Sequence, residues 1–513
     1  MSIVESPEED GFYMPHHAVI KESSHTTKVR VVFDASAKTS NGVSLNDILM
    51  TGPTIQNKLF SHLIRFRVYV VVITADIEKM YRQVLVHKDD RRYQKILWRR
   101  DGEIKTLQSN TLTFGNTASP FLAIRAVVQL AEDEGQAYPR AAEVLKEHMY
   151  VDNVLSGAKN VEEACATRDE TINLLSQGGF TIKQWASNEK EVIEDLAEGD
   201  IHANFTVTID RSLNTLGIMW NTRTDKICYS AQTTKPTEKI TKRRILAEIA
   251  KIFDPLGLLG PVVLYAKKLM QDVWRCGIHW DESIPQGIYT EWSEFARQLD
   301  LINTVSIDRR LLINDHQKVQ LHGFCDASNV GYGACLYVRS KGNDGSVVSK
   351  LLCAKSRVAP LKLITIPRLE LCGALLLARL YRETINELGI NIDETNFWCD
   401  ATIVLQWLKM SPHMLKTYVA NRVAEIQELT SGIKWRHVRS EDNPADAISR
   451  GQLPHVFLKN RTWFTGPPWL VENEAVAGVT AAATQSSSKS KEAFEVGQAK
   501  DTVNLKRSNS QSS

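Results

Sequence analysis

The chain has no Cys-x-x-Cys pair and no Cys/His spacing of the zinc-binding kind. Its eight cysteines are scattered at positions 165, 228, 276, 325, 335, 353, 372 and 399. That argues against a disulfide framework or zinc module and for free, mostly buried thiols in a reducing compartment. An apolar leader is missing, because the first residues read MSIVESPEEDGFYMPHH and are acidic. Nor is there a run of about 18 uncharged apolar residues. The expectation is an intracellular chain, in the cytoplasm or nucleus, with no membrane partner. Net charge is scarce too, at +2, so any contact with nucleic acid must come from local basic clusters. No Asp-Thr-Gly or Asp-Ser-Gly triplet occurs. An aspartic peptidase of paired half-sites, whose two aspartates share a proton, is therefore a disfavoured reading. No internal repeat is visible, and the Asp-Ala-Ser strings at 34–36 and 326–328 sit in different contexts.

What is present is ample core material. Of 513 residues, 43% are apolar, enough for roughly three domains of about 150 residues each. Residues 1–27 read as an extended lead-in. KVRVVFDAS (28–36) alternates as a strand does, and SNGVSLNDI (40–48) supplies turn chemistry. RVYVVVITAD (67–76) is a nearly continuous β-branched run ending in an acid, which fits a buried central strand with a carboxylate at its tip. Residues 119–148 read as helices, MYVDNVLSG (149–157) as strand–turn–strand, and 161–179 as an amphipathic helix closed by Gly178 and Gly179. That order predicts an α+β unit over 28–235. Helical periodicity marks 236–317, around a DPLGLLGP break at 254–261. A second, α/β unit is predicted over 318–452, followed by a linker (453–475). The last stretch, 476–513, is Ala/Ser/Lys/Gln-rich and reads as disordered.

Two sets of acids stand out. Asp76 and Asp152 each follow a strand. A pair of carboxylates on neighbouring strands is what a two-magnesium centre needs, with the ions about 3.5–4 Å apart and ligated by oxygen. The second set is Asp326, Glu370, Asp400 and Asp446, in the strings HGFCDAS, IPRLELC, FWCDA and EDNPADAISR. Their order, Asp–Glu–Asp–Asp, is that of an RNase H fold. Glu370 lies on a strongly apolar helix opened by Pro367, so an unpaired carboxylate there wants a cation. The ordinary alternative is an ion pair with Arg368 or Arg379. Glu441 and Asp442 are weaker candidates for the fourth acid, and His437 reads as structural.

The strings ADIEKMYRQV (75–84), LTFGNTASPFLAIR (112–125) and YVDN (150–153) occur in the order of reverse-transcriptase motifs. Together with KVRVVFDASAKTSNGVSLNDILMTGPTIQ (28–56) they resemble the BEL/Pao-type LTR retrotransposon reverse transcriptases. KSRVAPLKLITIPRLELCGALLLARL (355–380) and the stretch 418–451 resemble the same family. The resemblance runs over about residues 11–470. It implies reverse-transcriptase fingers and palm (28–235), a helical thumb or connection (236–317) and an RNase H-like domain (318–452). It also implies Mg²⁺ or Mn²⁺ as cofactor, and an RNA template, DNA primer, RNA–DNA hybrid and dNTPs as partners. Asp76 and Asp152 would be the polymerase metal ligands, with Asp326, Glu370, Asp400 and Asp446 those of the nuclease. Tyr81 would be the steric gate at the sugar, Phe114 and Gly115 would pack against the incoming base, Lys28 and Arg30 would clamp phosphates, and Lys183 would lie near the leaving pyrophosphate.

One position departs from the pattern: the second acid of the Tyr-x-Asp-Asp box is Asn153. Losing a ligand carboxylate should cost more than the roughly 10–100-fold typical of an outer-shell partner, so DNA synthesis is expected to be severely weakened or absent. The alternative reading is a catalytically inactive, nucleic-acid-binding relic. The zinc-binding and DDE portions of an integrase do not follow RTWFTGPPWL (461–470), so a fragment of a longer polyprotein, a processed product or a truncated gene is expected.

Overall fold

The computed structural model describes residues 1–5, 10–20, 29–202, 212–215, 218–231 and 239–472. Lys28 and the segment 476–513 lie outside the described residues. The chain divides into two units, Met1–Pro467 and Pro468–Ser513. In the second, a single 3-10 turn, Pro468–Leu470, is described.

The β-branched run forms the strand Val71–Ile77, buried at six of its seven positions. It sits inside a four-stranded antiparallel sheet ordered Met149–Tyr150, Asn153–Ala158, Val71–Ile77, Ile182–Ser187. Three helices complete the layer: Ser119–Asp133, Pro139–Glu147 and Val161–Gln177. The last begins where Asn160 accepts from the Glu163 amide, with Glu162 and Glu163 placed to complement the helix dipole. Leu174, Leu175, Val127 and Val144 from these helices meet Ile73 and Val154 of the sheet in one apolar core.

The lead-in contributes strands. Ser2–Ile3 pairs with Glu103–Gln108, and His16–Ile20 pairs antiparallel with Val29–Phe33. A small core of Met14, Phe33, Ala35, Leu45 and Ile96 holds this region. Its turn is pinned by Ser44, which accepts from the Asp47 amide while Asp47 accepts from that of Ser44.

A fourth antiparallel sheet crosses the sequence boundary at 235/236. Its order is Ser212–Thr215, Ile218–Asn221, Lys226–Cys228, Ser306–Asp308. The helical segment, including Lys242–Ala250, Gly260–Arg275 and Gln286–Gln298, is therefore inserted between two strands of one sheet.

The C-terminal α/β unit has a five-stranded sheet ordered Val347–Val358, Gly331–Gly342, His316–Ala327, Glu394–Cys399, Lys434–His437. The first three are antiparallel, and the last two join in parallel. The helix Ile366–Ile385 covers the sheet, coming so close at Gly373 that a Cβ there would lie 3.0 Å from the Asp326 carbonyl oxygen. Helix Ala445–Arg450 packs against the central strands, with Ile448 over Gly333, and meets Gly260–Arg275 of the inserted segment.

Candidate active sites

At the first site, Asp76 and Asn153 are paired across neighbouring strands. Asp152 sits in the two-residue turn between Tyr150 and Asn153, and its carbonyl accepts from the Ile77 amide over 2.8 Å. The turn is tight enough to place Val151 at φ +57°, a left-handed conformation that a β-branched residue rarely adopts. Burial and the neighbouring Asp152 and Glu78 raise the Asp76 carboxyl to about 7. Burial also raises Asp152, opposed by hydrogen bonds from its own backbone and from Asn153. Asn153 Nδ2 donates to Asp152 Oδ1 over 2.9 Å.

The other residues named from the sequence for this site fall around it. The rings of Tyr81 and Phe114 lie 4.7 Å apart, and Phe114 is half exposed. Burial first, and then Asp152, raise the Tyr81 phenol. Gly115 has φ +98°, and a Cβ there would lie 2.1 Å from the Phe33 carbonyl oxygen, so no other residue fits without a shift. Arg30 is exposed on Val29–Phe33. Lys183 is paired in register with Asp76, but its Nζ lies 3.8 Å from Glu78 and 3.6 Å from Asp200.

At the second site four elements deliver the acids. Asp326 ends the strand His316–Ala327, and Asp400 directly follows the parallel strand Glu394–Cys399; Cys325 and Cys399 are in register just before them. Glu370 lies in the first turns of Ile366–Ile385, and Asp446 in Ala445–Arg450. Asp326, Glu370 and Asp400 act on one another electrostatically, and Asp446 acts on Asp326. Burial, then Asp326 and Asp400, hold the Glu370 carboxyl up at about 9. Burial likewise raises Asp326 to about 7, opposed by a hydrogen bond from Ser449.

Neither arginine offered as a structural partner reaches Glu370. Arg379 is bonded to Glu425 at 2.6 and 2.8 Å, and Arg368 lies over the Tyr418 ring. Glu370 Oε2 and Asp400 Oδ1 are buried without a hydrogen-bond partner. Ligand atoms of Glu370, Cys399 and Asp400 lie within 4.8 Å of one another, the one such cluster among the described residues. Two buried carboxylate oxygens without donors, amid two further acids, fit a hard divalent cation better than any protein group nearby.

Sequence reasoning missed the side chains that orient these acids. Ser449 donates to Asp326 and Ser440 Oγ to Asp400 Oδ2 (2.8 Å), while Arg450 Nε reaches Asp446 Oδ1 at 2.5 Å. Only the last was readable, as an Asp–Arg pair four residues apart on a helix. His437 is exposed and in register with Cys399 at the end of Lys434–His437. The cysteines are free, with Cys325, Cys335, Cys353 and Cys399 buried. No helix among the described residues is long and apolar enough to cross a membrane.

Residues 241–401 match the family model described as the Pao retrotransposon-like RNaseH-like domain. That span holds Asp326, Glu370 and Asp400, and it begins in the inserted helical segment. No curated protein matches the sequence significantly. Three solved structures of a foamy viral protease-reverse transcriptase are similar. The dRH form with dsDNA has a TM-score of 0.53 at 14% identity, covering 83% of this chain and 65% of its own. The RNA/DNA hybrid complex gives 0.53, 13%, 84% and 51%, and the dsDNA complex 0.52, 13%, 83% and 78%. This chain thus spans about half to three quarters of those proteins, and at such identity the likeness is one of fold. The fold is that of a reverse transcriptase joined to an RNase H-like domain. With the family match, it supports a Pao-type retrotransposon pol fragment.

Proposed function

We propose that the chain binds RNA–DNA hybrid and cleaves its RNA strand in the manner of RNase H, and that its polymerase half has lost most of its capacity for synthesis. The observation that carries the nuclease reading is the pair of buried, donorless oxygens, Glu370 Oε2 and Asp400 Oδ1, beside Asp326 and Asp446, in surroundings that raise the proton affinity of Glu370 and Asp326. Asp326, Glu370, Asp400 and Asp446 would hold Mg²⁺ or Mn²⁺. Bound there, the ions would supply an acidified water and would stabilise charge developing on the scissile phosphate. The protein's own part is to keep the cage in place: Ser449 holds Asp326, Ser440 holds Asp400, and Arg450 restrains Asp446. A hybrid duplex would be held by contacts to backbone and 2′-hydroxyls rather than by base reading. One of the similar solved structures is a complex with RNA/DNA hybrid, which agrees with this choice of substrate.

For the polymerase half, the Asn153–Asp152 bond favours template–primer and dNTP binding without rapid synthesis. Asp76 and Asp152 would be its remaining metal ligands. Tyr81, Phe114, Gly115, Arg30, Lys28 and Lys183 would be its nucleotide-side residues. The deciding assay uses labelled RNA–DNA hybrid with Mg²⁺ or Mn²⁺, with and without dNTPs. Metal-dependent cutting of the RNA strand that disappears in Asp326→Asn and Glu370→Gln is expected. Undiminished cutting by either variant would refute the assignment. The absence of cutting in the unaltered chain would leave the binding-only relic as the better reading.

A further inference from the structure

A cavity of about 300 Å³ lies in the C-terminal α/β unit, away from both acid sets. Its floor is the pair Tyr332 and Arg357, directly opposite each other on neighbouring strands, with Lys355 two residues along. One wall is helix Ile366–Ile385, contributing Leu375, Leu376, Leu380 and Arg379; the other is Thr417–Leu429, contributing Asn421, Arg422 and Glu425. Cys372 also lines it, while Glu370 belongs to the acid cage. Two positions on a helix are about 200° apart, so the cavity and the cage lie on opposite sides of the same helix.

The cavity is built for an anion with an apolar part. Four cations line it against a single carboxylate, and Arg379 already occupies that carboxylate. Lys355 is shared with Glu383 at 3.4 Å. The Arg357 guanidinium makes no hydrogen bond or ion pair among the described residues, its backbone alone being paired in the sheet with Tyr332. Arg422 spends Nη1 on the Tyr418 carbonyl at 2.9 Å and stacks on that ring, but its Nε is buried without a partner. Guanidinium forks match phosphate oxygens. Beside them, the Tyr332 ring and three leucines offer a face for a flat base, and the Asn421 amide offers both donor and acceptor for its edge. The volume is at the lower end of cavities that enclose a small organic ligand.

We propose that this cavity is a nucleoside-phosphate site, taking the phosphate on Arg357 and Arg422 and the base against Tyr332. The ligand is either a free nucleotide or the 5′-phosphorylated end of a single strand. The site is separate from the nuclease cage, and its test uses no cleavage. The intact chain, in metal-free buffer of fixed moderate salt, is titrated calorimetrically with dAMP, with inorganic phosphate, and with a tetranucleotide bearing either a 5′-phosphate or a 5′-hydroxyl. Saturable one-site binding is expected for dAMP or for the phosphorylated tetranucleotide, and whichever binds more tightly identifies the source. Arg357→Gln should weaken it by about 10-fold or more while leaving the melting temperature nearly unchanged, because that guanidinium makes no hydrogen bond or ion pair among the described residues and its electrostatic neighbours are Tyr332 and a like-charged Lys267. Arg422→Gln should weaken it similarly. Three results would overturn the proposal: no saturable binding of either ligand at millimolar concentration, unaltered affinity in Arg357→Gln, or inorganic phosphate bound as tightly as dAMP.

Discussion

Asn153 donates its side-chain amide to Asp152 over 2.9 Å, directly beside Asp76 on the neighbouring strand. The bond occupies an oxygen of one of the two carboxylates of that site and puts a neutral group where a second negative charge would repel it. The arrangement is comfortable without metal and poor at attracting one. Raising the local negative charge costs stability in the metal-free chain but strengthens the pull on a cation.

Asn153→Asp should therefore increase primer extension with Mg²⁺ by at least about 10–100-fold, the scale on which metal-site partners act. The measurement is single-nucleotide extension on a defined template–primer. Equal, robust extension by both chains would show that the amide costs nothing.

Glu370→Gln should separate catalysis from folding. The substitution keeps the side chain's shape and replaces a carboxyl that burial, Asp326 and Asp400 force the folded chain to hold protonated, so folding no longer has to take up that proton. Hybrid cleavage should be lost, while the metal-free melting temperature should rise by a few degrees, as about 1 kcal/mol of relief implies for a domain of this size. The added stability conferred by Mg²⁺ should vanish. A variant that melts lower and still responds to Mg²⁺ would contradict the cage.

Much of this was legible in the sequence, for particular reasons. The β-branched run at 67–76 announced a buried strand, and the structure forms Val71–Ile77 with Asp76 near its end. Proline at 367 marked the start of the helix that carries Glu370. The strands Ser2–Ile3 and His16–Ile20 were hidden because both are exposed edge segments with no alternation to read. Ser306–Asp308 was hidden because three residues give no period, and its partners lie about eighty positions upstream. Ser440 and Ser449 could not be singled out among many serines, since a hydroxyl's role depends on which acid the fold brings to it.

The pH dependence follows from the raised carboxyls. Asp326 stands at about 7 against an ordinary 3.8, and Glu370 at about 9 against 4.5. A folded state that holds protons more tightly than the unfolded chain has its full contribution below the ordinary values. It loses that contribution as pH rises through the folded ones. In metal-free solution this part of the stability should fall from about pH 4 to about pH 9. Divalent cations compete with those protons, so the Mg²⁺-induced rise in melting temperature should be larger at about pH 8.5 than at about pH 6. Subtracting the Glu370→Gln profile isolates the effect from other groups. A Mg²⁺ response independent of pH would mean that these acids do not bind the ion.

Arg67 and Arg309, both almost fully buried, tie the N-terminal α+β layer to the C-terminal α/β unit. Arg67 donates to the carbonyls of Arg309, Leu351, Leu352 and Asp308, and burial lowers its guanidinium to about 10. Arg309 donates to the carbonyls of Phe66, Tyr69 and Val70 and pairs with Asp225. Arg67→Met would fill similar space yet leave four buried carbonyls without that donor. At about 1–3 kcal/mol for each one left unsatisfied, even partial repair by water leaves a loss of about 3 kcal/mol or more. The expected result in urea is an earlier transition that splits in two, because the N-terminal α+β layer and the C-terminal α/β unit no longer unfold together. Fluorescence of Trp220, beside Phe66, should report the first step, and loss of metal-dependent hybrid cleavage the second. A single transition with an unchanged midpoint would mean that the two arginines are spectators at the junction.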